Sequence, residues 1–138
     1  VAVEVPITAS PDMGLARATR RMREMRVRTL VVVEDDETLI GIITARDIRK
    51  HKNRPGKIAD IVQSDIPVIS EGSSAKAAFE KLFLGNAGIL PVVDGSNRLK
   101  GLVTRSSLAE KLYKVVWDTN GYDNNDSTTD LDVGATCS

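Results

Sequence analysis

The chain contains 138 residues, of which 41% are hydrophobic and 28% charged, with 19 Lys and Arg residues against 19 Asp and Glu residues. This size and composition are typical of one compact domain or of two small repeats that share a core. The longest apolar run, residues 30–33, is too short to span a membrane, and no signal peptide is predicted. Cys137 is the single cysteine, which excludes an internal disulfide and favours a reduced, cytoplasmic setting.

Charge is unevenly distributed along the chain. Residues 118–138 hold five Asp and no Lys or Arg, so the preceding body carries 19 basic against 14 acidic side chains. A basic body favours an anionic ligand or surface. Nucleic acid is not the expected partner, because aromatic residues make up only 4% of the chain. His51 lies in a basic stretch and is predicted as a solvated loop residue rather than a catalytic one.

The first half of the chain predicts one small α/β unit. Apolar residues recur at three- and four-residue steps from Leu15 to Met25, which indicates an amphipathic helix with solvated arginines. The acidic residues 34–37 predict a hairpin turn, with a metal site as the less favoured alternative. The other predicted elements are an extended segment at 5–9, strands at 27–33 and 39–44, and a helix that opens at 46–50.

The second half repeats this order at an offset of 60 residues. The stretch Gly-Ile-Ile-Thr-Ala-Arg-Asp-Ile at 41–48 has its counterpart in Gly-Leu-Val-Thr-Arg-Ser-Ser-Leu at 101–108. Each copy is a strand that feeds a helix N-terminus, where free backbone N–H groups favour anions. We therefore predict an α/β fold of two β-α-β-β-α repeats, packed through their sheets with pseudo-two-fold symmetry. Its final helix carries Leu108 and Leu112 and ends near Trp117.

Composition places the predicted boundaries between these parts. The first repeat spans residues 1–56, a linker spans 57–65, and the second repeat spans 66–117. Residues 118–138 lose all periodicity and are rich in Asn, Asp, Ser and Thr, so we predict an acidic, disordered tail.

The element order, with the blocks "LVVV…LIGIITARDI" and "LPVV…LKGLVTRSSL", resembles a tandem pair of CBS (cystathionine β-synthase) domains, a Bateman module, over residues 4–114. The stretches "DIVQSDIPVISEGSSAKAAFEKLF" and "GLVTRSSLAEKLYKVVW", followed by an acidic tail, are similar to the C-terminal CBS region of ATP-binding subunits from osmoprotectant ABC importers. Those importers carry glycine betaine, carnitine, choline or proline. The chain contains no phosphate-binding loop, so the resemblance implies that an ATPase domain belongs to a longer parent chain.

The resemblance implies an adenosyl ligand between the repeats. The family's ribose-binding Asp matches Asp47, and its phosphate-binding Ser/Thr matches Thr44, with Arg46 as a nearby basic group. The alternative is that Thr44 and Asp47 only cap a helix. In the second repeat Ser107 replaces the Asp, and Arg105 adds charge beside Thr104.

The resemblance to osmoprotectant importers of this family implies a more specific ligand, cyclic di-AMP, bound at a two-fold dimer cleft. A two-fold ligand needs a single set of residues, used twice. The matching positions here are an apolar wall with Arg105 for phosphate, and the wall consists of Ile7, Val27, Thr29, Ile89 and Leu102. Ile89 cannot stack as an aromatic residue would. The alternative for Val27, Ile89 and Leu102 is an ordinary place in the core.

The expected function is a regulatory nucleotide-binding module rather than an enzyme, with no resident cofactor, no catalytic residue and no metal site. The resemblance implies a homodimer formed through the CBS repeats, attached to an ABC ATPase domain and a membrane permease at the cytoplasmic face of the membrane. Three alternatives remain open. They are a CBS module that binds AMP or ATP in another protein, an ionic-strength sensor, and a structural dimerisation module without a small ligand.

Overall fold

The computed structural model describes residues 3–51, 55–85 and 88–107. The predicted α/β class is confirmed, since short helices alternate with the strands of two three-stranded sheets. The elements are β1 (Thr8–Ala9), α1 (Leu15–Met25), β2 (Thr29–Val33), β3 (Leu39–Thr44), α2 (Ala45–Lys50), β4 (Ile69–Ser70), α3 (Ala75–Phe79), β5 (Ile89–Val93) and β6 (Leu99–Thr104). The predicted final helix at Leu108, Leu112 and Trp117 and the predicted tail at 118–138 lie outside the described residues.

The first compact unit consists of residues 6–66 and 96–99, and its sheet has the order β1-β2-β3. β1 runs parallel to β2, whereas β2 and β3 form the predicted antiparallel hairpin, in which Thr29 lies opposite Thr44. Residues 30–33 are all buried, as expected of an apolar strand that is covered on both faces. In β3 every second side chain is buried, so that strand presents one face to the core.

Helix α1 covers one face of this sheet. Its bounds match the periodicity prediction, and its buried residues, Leu15, Ala18 and Met22, lie on one stripe. The helix ends at Arg26, which adopts a left-handed conformation with φ 58°. Its backbone N–H then donates to the carbonyl of Arg23, a common way to end a helix.

The second compact unit contains the described residues among 3–5, 67–95 and 100–107, with the sheet order β4-β5-β6. Ser74 caps α3 by accepting a hydrogen bond from the backbone N–H of Ala77 at 3.1 Å. The helix continues as a π-helical turn over Glu80–Leu84. The core of the second unit consists of eight buried residues, Val3, Ile69, Ala75, Ala78, Leu82, Leu90, Val92 and Val103.

Each unit is completed by a short extended segment that pairs with its last strand. Glu4 pairs antiparallel with Leu102 in the second unit, and Gln63 pairs antiparallel with Ile42 in the first. Glycines allow this close approach, because a Cβ at Gly41 would overlap the backbone carbonyl oxygen of Gln63. The doubled glycine of the sequence repeat therefore has a packing role.

The segment 57–65, which the sequence predicts as a linker, contributes to the first unit. It forms a 3₁₀ turn over Ile58–Asp60, and Ile58 has no exposed surface. Ile58 lies in the same buried cluster as Leu15, Leu30 and Ile43. Among the described residues, no helix is long and apolar enough to cross a membrane.

Candidate functional site

The strand–helix corner of the first unit is built by the motif Thr44–Asp47. Thr44 ends β3 and caps α2, and its hydroxyl accepts a hydrogen bond from the backbone N–H of Asp47 at 3.1 Å. In return, the Asp47 Oδ2 atom accepts from the backbone N–H of Thr44 at 2.9 Å. This reciprocal capping box satisfies two free N–H groups at the helix start. Thr44 and Asp47 therefore do cap a helix, and the cap uses the Oδ2 atom of Asp47.

The same carboxylate keeps one oxygen available. Gln63 Nε2 also donates to Asp47 Oδ2, at 2.7 Å, so this one oxygen accepts both the capping bond from the Thr44 N–H and the bond from Gln63. Within the described part of the chain, Asp47 Oδ1 accepts no hydrogen bond. A carboxylate accepts through both oxygens. Capping and ligand binding are thus compatible at Asp47.

The environment of Asp47 keeps it ionised. Partial burial raises the pKa of its carboxyl, whereas hydrogen bonds from Thr44 and Gln63 and the charge of Lys50 lower it. The net result is a pKa below the ordinary value of 3.8. Asp47 is therefore a charged hydrogen-bond acceptor throughout the neutral range.

We expect Asp47→Ala to destabilise the protein by about 1 kcal/mol at neutral pH, because it removes half of a capping box. The folded-state pKa is lowered, so the stabilisation is present above pH 3.8 and is lost as the pH falls through the folded pKa. The difference in the free energy of unfolding between wild type and variant should therefore become smaller in acid. Urea unfolding measured at a series of pH values tests this, with Ser74→Ala, which removes the cap of α3, as a control without a carboxylate. An equal difference at all pH values would contradict the assignment.

The corner of the second unit lacks the motif aspartate but gains a carboxylate from elsewhere. Thr104 and Ser107 cap each other, with the Ser107 N–H and the Thr104 hydroxyl oxygen 3.1 Å apart. The Thr104 hydroxyl donates to Glu4 Oε2 at 2.9 Å, across 100 positions of sequence. Glu4 thus places a negative charge where the motif itself has none.

The two corners exchange the source of their carboxylate. In the first, the motif supplies Asp47 and the pairing segment supplies the amide of Gln63. In the second, the motif supplies Ser107 and the pairing segment supplies Glu4. The sequence motifs identified neither Glu4 nor Gln63. The one signal in the sequence is their separation of 59 residues, close to the repeat offset of 60.

Arg105 is held against the helical segment of the second unit. Its Nε donates to the carbonyl of Leu82 at 3.2 Å, and its guanidinium carbon lies 5.4 Å from the centre of the Phe83 ring. Such a position is a cation–π contact and fixes where the charge lies. The Arg105 side chain is exposed.

The other predicted ligand residues are divided between the units. The first unit holds the half-buried Ile7, Val27 and Thr29 and the exposed Arg46, and Ile7 and Val27 pack partly against its core. The second unit holds Ile89, at the start of β5, and Leu102, both half-buried. The structure joins Thr44 to Asp47 by hydrogen bonds and places Thr29 beside Thr44 in the sheet.

A protein-family model described as CBS domain matches residues 1–54 and 58–114. The chain belongs to the CBS domain family. It is 33% identical over 112 residues to the glycine betaine/carnitine/choline transport ATP-binding protein OpuCA of Bacillus subtilis, covering 81% of this chain and 30% of that protein. It is 41% identical over 101 residues to an inosine-5'-monophosphate dehydrogenase of Mycobacterium tuberculosis, covering 72% of this chain and 19% of that enzyme.

Solved structures agree with this CBS assignment. Staphylococcus aureus OpuCA matches with a TM-score of 0.71 and 31% identity, covering 82% of this chain and 97% of that one. The CBS domain pair of protein MJ0100, in complex with 5'-methylthioadenosine and S-adenosyl-L-methionine, matches with a TM-score of 0.67 and 27% identity, covering 80% and 90%. Both predicted likenesses, to a tandem CBS pair and to osmoprotectant transporter subunits, are confirmed. The chain spans less than a third of the length of these curated relatives.

Proposed function

We propose that this CBS pair is a regulatory module that binds an adenosyl nucleotide through its two strand–helix corners. The observation that carries the proposal is Asp47, a charged carboxylate that caps α2 with one oxygen and keeps the other available. A ribose diol offers hydroxyl donors to such an acceptor. The adenosyl ligands of the MJ0100 pair support this ligand class.

We further propose cyclic di-AMP as the ligand and a two-fold dimer as the binding species. The ligand would lie against the apolar wall defined above, with Arg105 on phosphate and Thr104 beside it. Arg105 supports this because its guanidinium is fixed by Leu82 and Phe83 and remains exposed. In the first corner, where Ala45 stands at the position of Arg105, the next residue, Arg46, supplies a cation.

In the longer protein, the module would control the ATPase domain of an osmoprotectant importer and its membrane permease, at the cytoplasmic face of the membrane. The similarity to the OpuCA subunits supports this context. The physical mechanism is a population shift, in which a nucleotide stabilises the dimer arrangement that it binds most tightly. The module itself carries out no reaction.

Titration calorimetry of the chain with cyclic di-AMP, AMP and ATP tests the proposal. We expect cyclic di-AMP to bind with one molecule per two chains. Arg105→Ala should weaken the binding of cyclic di-AMP at least tenfold, because a charge-assisted phosphate contact is lost. Asp47→Asn and Glu4→Gln should weaken the binding of nucleotides whose ribose reaches those corners. Arg17→Ala, a change at an exposed arginine elsewhere on α1, is the matched control.

The alternatives predict different results. Binding of AMP or ATP alone, lost in Asp47→Asn, would replace cyclic di-AMP by a simple adenosyl nucleotide. The absence of heat with all three nucleotides would overturn the proposal and leave a structural dimerisation module. Dimerisation that responds to salt without any nucleotide would favour the ionic-strength sensor.

A further inference from the structure

The helical segment that follows β4 changes its hydrogen-bond pattern halfway along its length. After α3 it continues as the π-helical turn Glu80–Leu84, in which the backbone N–H of Gly85 donates to the carbonyl of Glu80 at 2.9 Å. A Cβ on Gly85 would lie 2.7 Å from the carbonyl oxygen of Lys81, so glycine suits the end of this turn. The corresponding helix of the first repeat, α1, is an uninterrupted α-helix. π-helical turns are rare and frequently occur at functional sites.

The π-helical turn carries two groups that hold Arg105. The carbonyl of Leu82 accepts from Arg105 Nε at 3.2 Å, and the ring centre of Phe83 lies 5.4 Å from the guanidinium carbon. The Leu82 side chain has no exposed surface and belongs to the core of the second unit, so the core anchors the turn. The Phe83 side chain is 36% exposed and presents its ring to the guanidinium at the surface. The core therefore determines, through two consecutive residues, where the charge of Arg105 lies.

The first repeat has a different pair of residues at the corresponding positions. At the offset of 60 residues, Ala45 stands in place of Arg105, and Arg23 stands in place of Phe83. Within the described part of the chain, the Arg46 guanidinium forms no hydrogen bond and no ion pair. A guanidinium that is held at the start of the helix is thus a property of the second strand–helix corner.

We propose that Phe83 is a positioning residue, which acts through Arg105 and holds its guanidinium ready for a phosphate group. This inference rests on the assignment of Arg105 to phosphate in the proposed function and deepens it. A mobile arginine loses rotamer freedom when it binds an anion, and this loss weakens binding. An arginine that is already held loses less freedom, so the same charge binds phosphate more tightly.

A double-mutant cycle on the affinity for cyclic di-AMP tests whether Phe83 acts through Arg105. Phe83→Leu keeps an apolar side chain and removes the ring. We expect it to weaken the binding of cyclic di-AMP about fivefold, less than Arg105→Ala does, because the charge is retained but no longer held. In the Arg105→Ala background the same change should have no further effect. An equal loss in both backgrounds would overturn the positioning role and leave Phe83 with a purely structural one.

Two further variants separate the ring of Phe83 from general packing. Phe83→Tyr retains an aromatic ring beside the guanidinium, so the affinity for cyclic di-AMP should stay within about twofold of wild type. Phe79→Leu is the matched control, because it removes an equally exposed ring from the same helical segment. The cation–π contact of Arg105 is with Phe83, so Phe79→Leu should also stay within about twofold. Equal losses in Phe79→Leu and Phe83→Leu, or a loss in Phe83→Tyr as large as that in Phe83→Leu, would contradict the inference.

Nuclear magnetic resonance tests the held guanidinium without any nucleotide. The proton–nitrogen signal of the Arg105 Nε group is assigned by its loss in Arg105→Lys, and the exchange of its proton with water is measured. We expect severalfold faster exchange in Phe83→Leu than in wild type, and unchanged exchange in Phe79→Leu. Equal exchange in wild type and Phe83→Leu would overturn the positioning role even if cyclic di-AMP binds. A chain that binds no cyclic di-AMP but keeps the slow Nε proton would refute the proposed ligand and leave the positioning of Arg105 intact.

Discussion

Ile58→Ala is expected to destabilise the protein by about 2–5 kcal/mol, although Ile58 lies in a segment that the sequence predicts as a linker. The side chain has no exposed surface and packs in the cluster that contains Leu15, Leu30 and Ile43. Truncation to alanine removes buried methyl groups and leaves a cavity, and both effects cost free energy. The free energy of unfolding from urea titration measures the loss.

A control in the same segment separates burial from position. Asp65 is exposed, so Asp65→Ala should change the free energy of unfolding by less than about 0.5 kcal/mol. If Ile58→Ala had an equally small effect, the segment would behave as a linker and its burial would not contribute to stability.

Gly41→Ala is expected to cost about 2–3 kcal/mol, the upper part of the range for overpacking. A Cβ at this position would overlap the carbonyl oxygen of Gln63. It would also lie 2.8 Å from the carbonyl carbon of Gln63 and 3.0 Å from the Cα of Ser64. These are backbone atoms, so the whole segment must move. That movement would separate Gln63 from Ile42 and from the Asp47 carboxylate. Thermal unfolding and the nucleotide affinity of the variant should both decrease.

Gly101→Ala is the matched control in the second repeat. The overlap there is with Cγ1 of the buried Val3, a side-chain atom rather than a backbone atom, and the Glu4 carbonyl oxygen lies 3.5 Å from the new Cβ. We expect a cost of about 1 kcal/mol. Equal effects of the two substitutions would show that the pairing segments are equally free to move.

Local periodicity was sufficient to predict most elements of the fold. The stripe of Leu15, Ala18 and Met22 predicts α1, and the apolar run at 30–33 predicts the strand that is covered on both faces. These patterns arise from contacts that one element makes with the core, so they are visible in a short window of sequence. The predicted extended entry segment at 5–9 contains β1, in which Thr8 and Ala9 lie opposite Val31 and Val32, and the carbonyl of Ile7 also accepts from the Val31 N–H.

The sequence by itself determined the doubled strand–helix corner and the Thr44–Asp47 pair, because a capping box is encoded within four residues. Only the tertiary structure decided which groups complete each corner. Glu4 reaches Thr104 across 100 positions, and Gln63 reaches Asp47 across 16. Such contacts depend on strand pairing between distant segments, and a single sequence has no local pattern that specifies it. The difference between Asp47 and Ser107 therefore describes the two corners only in part, because Glu4 supplies a carboxylate to the second corner.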